Sequence, residues 1–153
     1  MTFRGIKRRQ EIKGEKGGVL ILDDFAHHPT AVEKTIQAVK ERYMGRRLIA
    51  VFEPRSNSSR RNIFQKRYGL SFDRADLIFI PEPPMMEKIP VAERFSSQKL
   101  VNALKRRGLK AFYCPDHDNL LKEIIRQVHR DDVILIMSNG PFDNLHDRLL
   151  EML

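Results

Sequence analysis

Short apolar runs set the strongest limit on what this chain can become: VLIL (19–22), LIAVF (48–52), LIFI (77–80), AFYC (111–114) and VILIM (133–137). Each has the length of a strand, and each is continuously apolar rather than alternating, the pattern of strands buried in a sheet. Between them the apolar spacing turns helical, through Val32, Ile36, Val39 and Tyr43, then Leu100, Val101 and Leu104, then Leu120, Leu121, Ile124, Ile125 and Val128. This alternation, from residue 18 to the end, predicts right-handed strand–helix–strand crossovers around a mainly parallel α/β sheet. The start differs. RGIKRRQEIKG reads as one strand and GEKGG as the turn that leads into VLILDDF, a hairpin that adds one antiparallel strand. Thr30 with Glu33 forms a capping-box pattern beside Pro29, and DNLHDRLLEML is the expected closing helix.

At 153 residues and 41% hydrophobic content the chain has enough apolar material for one domain with its own core. The apolar runs are too short to cross a bilayer, and no secretory pattern opens the sequence, so no membrane partner is expected. The single cysteine, Cys114, cannot form an internal disulfide and fits a reducing, cytoplasmic compartment. A net charge of +8 favours anionic ligands, with nucleic acid among the alternatives. Against a nucleic acid, most Phe and Tyr residues sit inside apolar runs instead of interleaving with Arg and Lys as a base-stacking platform requires.

Ligands of parallel α/β sheets sit beyond the carboxyl ends of the strands. Three unusual loops are expected there: DDFAHHP (23–29), EPRSNSS (53–59) and MSNGPF (137–142). Asp23, Asp24, His27 and His28 are proper metal ligand types and would suit a small metallohydrolase, yet adjacent strand residues point to opposite faces, which argues against one shared ion. The remaining histidines, His117, His129 and His146, have no paired spacing. No nucleophile elbow and no glycine-rich phosphate cradle occurs, and Cys114 before Pro115 reads as a core thiol. Gly140 stands at a strand-to-helix corner whose backbone amides suit a carboxylate or phosphate, or simply make a tight turn. Arg55, behind a proline and followed by Ser56, Asn57, Ser58 and Ser59, can hold a carboxylate through two parallel hydrogen bonds, while one of these polar residues caps the helix expected near Arg60.

Taken together, RRQE (8–11), DDFAHHPTAV (23–32), FEPRSNSS (52–59) and MSNGPFDNLHDRLLEML (137–153) resemble the C-terminal domain of the Mur ligases of bacterial cell-wall synthesis. DDFAHHPT is similar to two branches, one adding L-alanine to UDP-N-acetylmuramate and one, the murein peptide ligases, adding the recycled tripeptide L-alanyl-γ-D-glutamyl-meso-diaminopimelate. FEPRSNSS looks like the second branch. Pro141, Asp143 and Asn144 depart from it, standing where smaller, glycine-rich residues are expected.

The resemblance implies a Rossmann-like three-layer sandwich and a single domain over residues 1–153. It also implies that the N-terminal UDP-sugar domain and the central ATP-binding domain lie outside this chain. The implied reaction is ATP-dependent amide synthesis. An acyl phosphate of the muramate carboxylate is attacked by the incoming amine, with ATP and Mg held mainly by the central domain. No catalytic residue is then expected within this domain alone, which is expected to be inactive by itself. Carried over by position, Arg9, Asp24, His27 and His28 are expected at the nucleotide, and Arg55, Ser56, Asn57, Ser138, Asn139 and Gly140 at the carboxylates of the peptide. The three-domain enzyme would take UDP-N-acetylmuramate, the tripeptide and ATP, with no nucleic acid and no metal site in this domain.

Overall fold

A computed structural model of the chain describes residues 9–55 and 60–153. Strands β1 (Glu11–Lys16), β2 (Val19–Asp24), β3 (Leu48–Phe52), β4 (Leu77–Pro81), β5 (Ala111–Cys114) and β6 (Val133–Met137) form one sheet in the order β1-β2-β6-β3-β4-β5. Only β1 runs antiparallel, against β2. Helices α1 (Pro29–Arg42), α2 (Gln65–Tyr68), α3 (Ser97–Arg106), α4 (His117–Gln127) and α5 (Leu145–Met152) cover the faces.

The continuous apolar runs have the expected cause. Successive residues serve opposite faces. Leu20, Leu22, Leu48, Ala50, Phe52, Leu135 and Met137 join one core with Val32, Ile36 and Val39 of α1 and Leu100, Val101 and Leu104 of α3. Val19, Ile21, Ile49, Val51, Ile134 and Ile136 join a second core with Leu120, Leu121 and Ile124 of α4 and Leu145 and Leu149 of α5. The sheet is thus the middle of three layers, with α1 and α3 on one side and α4 and α5 on the other.

Several local expectations change. The hairpin strand runs on through Gly14, Glu15 and Lys16, and the turn is only Gly17–Gly18. Both glycines have positive φ (60° and 77°), the conformation that a two-residue turn matching the sheet twist demands. The extra length is absorbed by an irregularity between Ile12 and Gly14. The capping box is not made: α1 starts one residue earlier, with His28 as N-cap and Pro29 in the first turn, and no side chain caps it. Proline sets the start because its fixed φ suits the first helical turn, where its missing N–H costs nothing. The helix expected near 61–68 is a 3-10 turn (Asn62–Phe64) followed by one α-helical turn, α2. Its N-cap is Arg61, without a side-chain bond, rather than one of residues 56–59.

The end of the sheet opposite the loops is fastened by Asp132, which is almost fully buried. Its carboxylate accepts from Arg47 Nη2 (2.7 Å), Arg47 Nε (3.1 Å) and the His129 amide (2.7 Å). Removing the carboxylate leaves the His129 amide and the Arg47 Nε without their acceptor, while Arg47 Nη2 keeps Gln127 O, so Asp132→Ala should lower stability by about 1–3 kcal/mol. Urea unfolding should register this as a lower midpoint with an unchanged slope.

Candidate functional site

Beyond the carboxyl ends of the parallel strands the side-chain alternation continues into the loops and divides them. Asp24 follows Leu20 and Leu22 toward α1, whereas Glu53 and Ser138, one residue past Phe52 and Met137, turn toward α4 and α5. The three loops therefore meet through their backbones but build two adjacent corners. Ser138 N donates to Asp24 O at 3.2 Å and Glu53 N to Met137 O at 3.0 Å, which carries the order β2-β6-β3 one residue past the sheet.

The first corner is a groove of about 420 Å³ whose lining includes Arg9, Gln10, Asp24, Phe25, His27 and Lys34. Asp24 Oδ2 accepts from the Gln10 amide and Oδ1 from the Ala26 amide, both at 2.8 Å, so the carboxylate ties the start of β1 to the loop after β2. Burial is the largest influence on this carboxyl and pushes its pKa up, opposed by the two amides and by the charge of Arg9. His27 Nδ1 is 3.0 Å from Phe25 O, and its carbonyl accepts a short hydrogen bond from the Tyr68 hydroxyl. His28 is not part of this lining: it is exposed, and its ring meets Phe64 edge-on with centroids 4.6 Å apart.

The second corner is organised by Glu53, a carboxylate with no exposed surface. Its Oε1 accepts from Ser138 Oγ (2.7 Å) and Arg55 Nε (3.0 Å). Ser138 Oγ in turn accepts from the Gly140 amide at 3.1 Å. Arg55 lies directly on Gly140: a Cβ there would stand 2.0 Å from Arg55 Cδ, so only glycine admits this side chain. On the far side His117, the first residue of α4, places Nε2 3.6 Å from Glu53 Oε2 and Nδ1 3.3 Å from Asp143 Oδ2. Asp143 also pairs with Arg148 at 2.5 Å. These bonds hold a loop in which Phe142, Asp143 and Asn144 all have positive φ. Non-glycine residues adopt this conformation only when their surroundings impose it.

Ser56 and Asn57 lie outside the described residues. Of the other peptide-site expectations, the structure brings Arg55, Ser138, Asn139 and Gly140 together. Ser138, however, spends its hydroxyl on Glu53 and Gly140. Sequence reasoning passed over Glu53 and His117. Glu53 had a signal, an acid directly after a fully buried strand, but His117 reaches the corner only because α4 packs beside β4 and β5. Cys114 is buried, and burial pushes its thiol up to about 12, so it is no nucleophile at neutral pH. Among the described residues no group of three His, Cys, Asp or Glu side chains could hold a metal ion.

The family model for the Mur ligase, glutamate ligase domain, matches residues 8–140. This chain belongs to the Mur ligase family. Over 151 residues it is 36% identical to the UDP-N-acetylmuramate–L-alanyl-γ-D-glutamyl-meso-2,6-diaminoheptandioate ligase of Escherichia coli K12, covering 98% of this chain and 31% of that protein. It is 33% identical over 152 residues to the UDP-N-acetylmuramate–L-alanine ligase of Desulforapulum autotrophicum, covering 99% of this chain and 33% of that protein. The crystal structure of a murein peptide ligase from Psychrobacter arcticus superposes with a TM-score of 0.82 at 33% identity, covering 98% of this chain and 30% of that one. The chain spans about a third of the length of the curated relatives it matches. Both corners of this Mur ligase domain lie within the matched segment, apart from the loop residues after Gly140.

The Asp24 carboxyl yields a pH dependence. Its folded pKa lies above the unfolded value, so the folded state binds the proton more tightly. Stability is then lost as pH rises through the interval between the two values, because deprotonation is easier in the unfolded chain. Asp24→Asn should flatten this falling segment of the stability curve in mildly acidic solution, as read by denaturant midpoints at a series of pH values.

Proposed function

We propose that this chain is the C-terminal domain of an ATP-dependent ligase. The ligase joins L-alanyl-γ-D-glutamyl-meso-diaminopimelate to UDP-N-acetylmuramate in peptidoglycan recycling, within the cytoplasm. The observation that carries this reading is Arg55, held by buried Glu53 across Gly140 at the mouth of the sheet. A guanidinium fixed by its Nε suits a carboxylate-rich peptide, and the geometry needs both the acid of EPRS and the glycine of SNG. L-alanine as the amine donor is the alternative, since relatives named for each of the two activities match this chain at similar identity.

ATP would supply the activating phosphoryl group, and Mg would be held with it by a central domain of the same enzyme. Within this chain the groove at Asp24 fits a nucleotide. Arg9 and Lys34 offer positive charge to phosphates, and each Asp24 oxygen, having accepted one amide, keeps a lone pair for a ribose hydroxyl. The second corner lies beside it, one strand away. The domain's contribution is positioning: closing over the nucleotide and presenting the amine of the peptide to the activated carboxylate. Ser138 acts as a positioning residue, aligning Glu53 and the Gly140 amide.

Amide-shift titration of the chain should give shifts near Arg55 and Gly140 with the tripeptide and none with L-alanine. The reverse pattern would move the assignment to the L-alanine branch. Arg55→Ala should weaken peptide binding by about 10- to 100-fold, the value of a charge-assisted carboxylate contact. Nucleotide binding at the other corner should stay as it was. Equal losses for both ligands would remove Arg55 from the peptide site.

A further inference from the structure

Residues 60–65, ahead of α2, and residues 91–96, ahead of α3, are stitched together away from both corners. Phe95 N donates to Arg60 O at 2.9 Å, and Arg61 and Arg94 form an antiparallel bridge. Asn62 Nδ2 donates to Ala92 O at 3.2 Å. The Gln65 side chain donates to Ser96 O at 3.0 Å and accepts from Ser96 N at 2.8 Å. Phe95, buried beneath, packs edge-on against Tyr68 and anchors both segments in the core shared by α1 and α3. Irregular segments bonded this closely keep one shape, so the surface they show to solvent is preformed.

That surface is partly apolar. A groove of about 500 Å³ runs between the two segments, and Ile63 and Val91 on it are 68% and 77% exposed. A single exposed aliphatic is ordinary, but apolar groups gathered in one groove and rimmed by polar residues mark an interaction site. Charge decides what covers them. Among the described residues the lining holds three cations, Lys66, Arg94 and Lys99, and no acid. Glu93, beside it, pairs with Arg61 at 2.5 Å. No aromatic side chain lines the groove, so nucleic-acid bases would have nothing to stack on. No lining residue belongs to the Asp24 groove or to the Glu53 corner.

We propose that this groove is a docking surface for an acidic segment of a partner protein. Aliphatic side chains of that segment cover Ile63 and Val91, while its carboxylates meet Lys66, Arg94 and Lys99. Covering the aliphatics supplies affinity, and the three cations select carboxylates and reject basic segments. The inference stands apart from the ligase reading, because the groove lies outside both corners.

The test is selection of phage-displayed random peptides on this chain, followed by calorimetric titration of the enriched sequence as a synthetic peptide. The docking surface requires enriched sequences that combine Asp or Glu with Leu, Ile or Val. Ile63→Asp and Lys66→Glu should each weaken binding of the synthetic peptide at least about tenfold, and added salt should weaken it as well. Thermal melting checks that both variants fold, and Val91→Asp and Lys99→Glu provide the same comparison if either does not. No enrichment, enrichment of sequences without acids, or binding that both variants leave unchanged overturns the proposal. Tighter binding of a single-stranded oligothymidylate than of the peptide also overturns it, making the groove a nucleic-acid surface. So does self-association of the chain that Ile63→Asp abolishes, as read by sedimentation, since the occupant is then a second copy.

Discussion

The position of β6 governs the rest of the molecule. It is the last strand in the chain, yet it lies in the interior of the sheet, paired in parallel with β2 on one side and β3 on the other. All five of its residues are buried, and they alternate between the two cores. Until β6 is inserted, β2 and β3 have no shared neighbour, α4 and α5 have no completed surface to cover, and both cores are open. A sheet closed by its last strand depends on contacts distant in sequence, which are the slowest to form.

The same insertion builds the site. Ser138, immediately past β6, binds the β2 end through its amide and the β3 end through its hydroxyl. The Asp24 and Glu53 corners are therefore mechanically adjacent, one strand apart, while their side chains occupy opposite faces of the sheet. That separation is a direct result of strand alternation and keeps the side-chain contacts of the two corners apart. Both corners also rest on buried carboxylates that each bind one partner two residues away and one from another segment, Asp24 with Ala26 and Gln10, and Glu53 with Arg55 and Ser138. Asp143 and Asn144, where the family resemblance leads one to expect glycine, keep a glycine-like backbone, and Asp143 is tied to His117 and Arg148.

Much of this was legible beforehand. The continuous apolar runs announced strands buried on both faces, and the helical spacing of Val32, Ile36 and Val39 or of Leu120, Leu121 and Ile124 announced what would cover them. Boundaries were less legible. Thr30 and Glu33 carried the pattern of a capping box, but Pro29 began the helix a residue earlier and left that box unformed. GEKGG held more glycines than its turn needed, so the strand extended until only Gly17 and Gly18 were left to reverse the chain.

The amino-acid sequence by itself determined the class of fold, the number of strands and the presence of polar loops at one end of the sheet. These depend on local periodicity and on the length of apolar runs, which a linear chain displays openly. Tertiary structure alone decided that Asp24 and Glu53 face opposite layers, that His28 leans on Phe64 instead of lining the groove, and that His117 meets Glu53. Those outcomes depend on strand order and on which helix packs over which strand end. They join residues as far apart as 53 and 138 through a hydrogen bond that no local pattern encodes.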